Sequence, residues 1–133
     1  MIIPTIDRRV KMVRIAFAIE EDRGLESPIA YHFGRCRYYM FVDVEDSEIK
    51  GVRVMENPFF GSHISGAVPQ FIADQGARVV IAGGMGPRAM NMLRSLGVEP
   101  ITGATGRVKD VLRDYLAGRL TSGGPCREPC GPM

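Results

Sequence analysis

The stretch YYMFVDVEDSEIKGVRVM, Tyr38 to Met55, decides the architecture. Tyr38 to Glu45 and Glu48 to Met55 are two β-rich runs, and Asp46-Ser47 between them reads as the joint of an antiparallel hairpin. After the hairpin the period changes. Ala67, Val68, Phe71, Ile72 and Gln75 fall on one helical face, with Pro69 tolerable in the first turn and Gly76 as a stop. RVVIAGG, Arg78 to Gly84, reads as a short buried strand ending in glycines. Met85, Ala89, Met92, Leu93 and Leu96 mark a second amphipathic helix, closed by Gly97. VEPI, Val98 to Ile101, is a weak strand suited to a sheet edge, because Pro100 has no ladder donor. Val108, Val111, Leu112, Tyr115 and Leu116 form a third helical stripe, ended by Gly118. Before the hairpin, VRIAFAI, Val13 to Ile19, is mostly apolar, as in a strand covered on both faces. A hairpin followed by β-α alternation predicts an α/β chain whose mixed sheet carries helices on its faces.

Bulk properties narrow the function. The 133 residues suit one domain. Net charge is +2 and the arginines are scattered without a basic block, so nothing points to nucleic acid. No apolar run reaches the roughly 18 residues that span a bilayer, so no membrane partner is expected. MIIPTIDRRVKM, Met1 to Met12, places its charges after a short apolar start, unlike a signal peptide. Residues 1–11 therefore read as an N-terminal extension, 12–120 as the domain, and 121–133 as a flexible tail holding Cys126 and Cys130. The expected compartment is a reducing cytoplasm, where cysteines serve as metal ligands or buried thiols more often than as disulfides.

His32 and Cys36 stand four residues apart around Gly34. In an extended strand they would lie about 13 Å apart, too far to share an ion. On a helical turn they approach to roughly 6 Å, and Arg35 and Arg37 would favour the thiolate. A structural turn and a ligand pair both fit this spacing. His63 sits in a Gly/Asn/Ser loop, either as a solvated side chain or as a residue converging on His32 where the loops gather. AGGMGPRA, Ala82 to Ala89, is a strand-to-helix turn in which Gly83, Gly84, Gly86 and Arg88 either hold an anion or only serve the backbone. TGATGR, Thr102 to Arg107, resembles it more weakly. Cys126 and Cys130 have a zinc-like spacing but supply only two of four ligands. Neither a Gly-x-Ser-x-Gly elbow nor a His-Glu-x-x-His motif is present, so hydrolytic chemistry is poorly supported.

HFGRCRYYMFVDVE, ENP followed by HISGA, GARVVIAGGMGPRAMNMLRSLGVEPITGATG and VKDVLRDYLAGRL together resemble the dinitrogenase iron–molybdenum cofactor biosynthesis family. The likeness runs from about Met12 to Leu120. It implies a ribonuclease-H-like three-layer α/β/α fold with a mixed five-stranded sheet. It further implies a non-catalytic carrier of an iron–sulfur or iron–molybdenum-type cluster, working between donor and acceptor proteins. His32 occupies the position that family carriers link to cluster binding, and Cys36 a position where they can also have cysteine. His63 and the Gly83 to Gly86 loop match family positions as well, whereas Cys126 and Cys130 lie outside the shared region. Soft thiolate and imidazole donors suit such a cluster, with zinc as the alternative. The competing reading, drawn from the residues alone, is an anion-binding or protein-interaction regulatory module built on the glycine turn.

Overall fold

In the computed structural model, which describes residues 12–60 and 67–120, Met12–Ile19 forms β1 at the centre of the sheet. The predicted hairpin follows as β2, Tyr38–Glu45, and β3, Glu48–Glu56. Asp46 and Ser47 both take positive φ, 53° and 68°, the twist that a two-residue hairpin turn requires. Then come α1 (Ala67–Asp74), β4 (Val79–Ile81), α2 (Pro87–Ser95), β5 (Glu99–Ile101) and α3 (Val108–Leu116).

The sheet order is β3-β2-β1-β4-β5. β1 pairs antiparallel with β2 but parallel with β4, and β4 pairs parallel with β5, so the sheet is mixed as expected. β5 lies at the edge, where Pro100 costs no ladder bond to an outer strand.

Alternation along β1 divides the core. Ala16 and Ala18 pack with Val68 and Ile72 of α1 and Met90 and Leu93 of α2. Ile15, Phe17 and Ile19 face the other way, onto Val108, Val111 and Leu112 of α3. The three helices thus form two outer layers around the sheet. From β1, the small side chains face the layer holding two helices and the large ones the layer holding one.

Asp43 of β2 receives two hydrogen bonds from Arg14 of β1, at 2.7 and 3.2 Å. Arg14 Nη1 also donates to the Gln75 carbonyl just past α1, at 2.6 Å. The Asp43 carboxyl is held below the ordinary carboxylate range by those guanidinium hydrogen bonds. Among the described residues, no helix is long and apolar enough to cross a membrane.

Candidate functional site

The topology collects loops at one end of the sheet. The parallel strands β1, β4 and β5 all finish there, and the Ile19–Tyr38 and Tyr38–Glu56 pairings bring the start of β2 and the finish of β3 to the same end. All three helices begin from it. Ligand sites in α/β sheets favour this location.

His32 is exposed here, forming a parallel bridge to Gly84. The Gly84 N–H donates to the Tyr31 carbonyl at 2.6 Å, and the Phe33 N–H donates to the Gly84 carbonyl at 3.1 Å. A third bond joins the Gly83 N–H to the Ala30 carbonyl at 2.9 Å. Two segments singled out separately in the sequence, the His32 turn and the glycine turn, are therefore one piece of structure. Gly83 is required by that docking: a Cβ there would meet the Tyr31 Cα at 2.8 Å. Gly86 caps α2 with no side-chain bond to the helix, and a Cβ there would meet nothing within 4 Å. Arg88 is exposed in the first turn of α2.

Phe33–Arg35 does form a single 3-10 turn between His32 and Cys36. Yet the turn sends the two side chains to different surroundings. Cys36 is 0% exposed and belongs to the core beneath α1 and α2. Its Sγ lies 3.3 Å from the Tyr38 carbonyl and 3.5 Å from that of Phe33. The buried Tyr39 hydroxyl also donates to the Phe33 carbonyl, closing the turn from below. Burial pushes the thiol up to about 12, outweighing the lowering by its hydrogen bond with Tyr39. Cys36 thus lies in the core while His32 stands on the surface.

Asn57, just after β3, joins two of these segments. Its Nδ2 donates to the Cys36 carbonyl at 2.9 Å and reaches the Gly34 carbonyl at 3.4 Å, while its Oδ1 accepts from the Phe59 N–H at 2.9 Å. Its own N–H donates to the Arg37 carbonyl at 2.7 Å. Beyond it, the Arg37 guanidinium lies 4.7 Å over the Phe60 ring. Residues 57–60 are thus fastened to the end of the His32 turn, while His63 lies outside the described residues, as do Cys126 and Cys130. Asn57→Ala leaves the buried Cys36 carbonyl without this donor, so it is expected to cost about 1–3 kcal/mol in urea denaturation. The ENP turn signal is the sequence clue that points to this residue.

The second glycine turn behaves differently. Val108 and Lys109, at the start of α3, donate to the carbonyls of Ser27 and Leu25 at 2.9 and 3.0 Å. Ser27 is fully buried, accepting from the Arg23 N–H and donating to the Gly24 carbonyl, both at 2.7 Å. The link after β1, Glu20 to Ala30, is therefore tied to α3 through Leu25 and Ser27, and it fills the N-terminus of α3 with the chain's own carbonyls. Among the described residues, no group of three or more His, Cys, Asp or Glu side chains is placed to hold a metal ion.

Residues 12–118 match the model of a family described as dinitrogenase iron-molybdenum cofactor. A protein of Methanocaldococcus jannaschii known as uncharacterized protein MJ0580 is 31% identical over 114 residues, covering 84% of this chain and 92% of its own. The crystal structure of PH0822 is 41% identical with a TM-score of 0.73, covering 84% of this chain and 96% of that one. The apo form of the orange protein from Desulfovibrio gigas shares the fold, with a TM-score of 0.75 at 24% identity, covering 88% of this chain and 98% of that one.

Proposed function

The chain belongs to the dinitrogenase iron-molybdenum cofactor family, and from that premise we propose that it carries an iron–sulfur or iron–molybdenum-type cluster, or its precursor, without catalysing a reaction. The observation that carries this is His32: an exposed imidazole whose backbone is fixed to the Gly83-Gly84 turn where the loops gather. The cluster is cargo, passed from a donor protein to an acceptor in the cytoplasm. The ribonuclease-H-like grouping of the two-layered helices and mixed sheet belongs to the same reading.

The donor set suits a preassembled cluster better than a bare ion. Structural zinc takes four ligands, whereas the described residues bring one exposed imidazole and no three-ligand group to this end. A cluster that keeps its other ligands needs one exchangeable protein donor, and a carrier must let go. Arg35, Arg37 and Arg88 are exposed around the same loops and would offset the charge of an anionic cargo. His63, Cys126 and Cys130 are the further donors this reading draws on.

Anaerobic reconstitution with iron and sulfide, followed by absorbance and metal analysis, tests it. His32→Ala is expected to lose most of the bound iron, whereas Cys36→Ala retains it. Wild-type iron content in His32→Ala would reject the ligand assignment. The start of α2 favours a second reading, an anion-binding regulatory module, because Gly86 leaves the cap without a side-chain acceptor. A phosphate-dependent thermal shift that survives His32→Ala, in a protein that takes up no cluster, would select that reading instead.

A further inference from the structure

Tyr31 is 62% exposed, an unusual position for a large aromatic whose surroundings are otherwise fixed. Hydrogen bonds to the glycine turn hold the backbone on both sides of it and at its own carbonyl. Its ring lies along that turn. A Cβ at Gly83 would stand 3.1 Å from Tyr31 Cδ1, and one at Gly84 would stand 3.4 Å from Cζ and 3.6 Å from Cε1. Two successive glycines thus leave a ledge on which the ring rests. The ring then meets His32 edge-to-face, with centroids 4.7 Å apart and planes at 85°. That geometry is the preferred one for aromatic pairs.

We infer that Tyr31 is a positioning residue for His32, bracing the imidazole in one orientation from the Gly83-Gly84 ledge so that it is ordered before cargo arrives. This rests on the reading of His32 as the cargo ligand. A free surface histidine gives up rotamer freedom on binding, and a braced one has already done so. The tyrosine hydroxyl takes no part in the bracing, so phenylalanine is expected to substitute.

Proton NMR of the protein without cargo reads the brace directly. The His32 ring protons are expected at displaced shifts in wild type and Tyr31→Phe, and at ordinary surface-histidine shifts in Tyr31→Ala. Unchanged amide signals of Gly83, Gly84 and Phe33 would show that the docked backbone persists. Release of a reconstituted cluster to a chelator is expected to be roughly three- to tenfold faster in Tyr31→Ala than in Tyr31→Phe. His32 ring shifts that do not move in Tyr31→Ala overturn the inference, as does a release rate equal to that of Tyr31→Phe. A wild-type protein that takes up no cluster counts against the cargo reading, while the ring shifts still decide whether Tyr31 orients His32.

Discussion

Above pH 9 the protein is expected to lose stability steeply, and Cys36→Ala is expected to remove a defined part of that loss. The cause is burial of an acid that the folded state keeps protonated. In the unfolded chain the thiol ionises at its ordinary value of 9.0; in the fold it is pushed up to about 12. The folded state therefore holds one more proton across that window, and its stability falls as pH rises through it. Below pH 9 the contribution is fully present. The slope is about 1.4 kcal/mol per pH unit, hence ~4 kcal/mol over the whole interval. Tyr39 acts in the same direction from its ordinary value of 10.0 upward, because burial also raises its hydroxyl. Urea midpoints at pH 8 and pH 10.5 measure the effect. The drop in wild type should exceed that in Cys36→Ala by about 2 kcal/mol. Equal drops would mean that the thiol is not the buried acid responsible.

Gly83→Ala is expected to cost about 2–4 kcal/mol, taking the steric conflict together with weakening of three backbone hydrogen bonds. The added methyl meets the Tyr31 Cα at 2.8 Å, and a backbone atom has no rotamer by which to yield. The segment from Ala30 to Phe33 must then lift from the turn, straining the bonds from Gly83 and Gly84 and the one from Phe33. The loss should appear in chemical denaturation and as increased hydrogen exchange at those three amides. Gly86→Ser is the control: its φ of −74° and empty surroundings admit a side chain, and serine can cap α2. It is expected to be neutral or stabilising by up to about 1 kcal/mol. If both substitutions cost the same, close approach of Tyr31 is not what Gly83 serves.

The elements were legible because their burial is periodic. β1 alternates between two buried faces, and α3 shows Val108, Val111 and Leu112 at helical spacing, so pattern alone locates both. The docking of the link from Glu20 to Ala30 was not legible. Its order comes from main-chain bonds such as Ile29 N–H to the Gly106 carbonyl, and those leave no trace in side-chain pattern. The site was half legible. Nothing in the spacing of His32 and Cys36 tells which of them points inward; that is decided by the Tyr39 hydroxyl and the Asn57 amide gripping the turn from the core side. The joining of the His32 turn to the Gly83 turn depends on β1 and β4 being neighbours, a property of topology rather than of either motif.

The same topology settles how the protein can be held. Met12 opposes Glu45 beside the hairpin turn, so the described chain enters at the end of the sheet away from the gathered loops. α3 starts at the loops and its nine residues carry the chain about 13 Å back from them. An anchor attached at either point, whether a surface, a fused domain or a pulling handle, therefore leaves the His32 end facing outward. Load applied between the two anchors would act on the sheet and α3 at the far end before it reached the site.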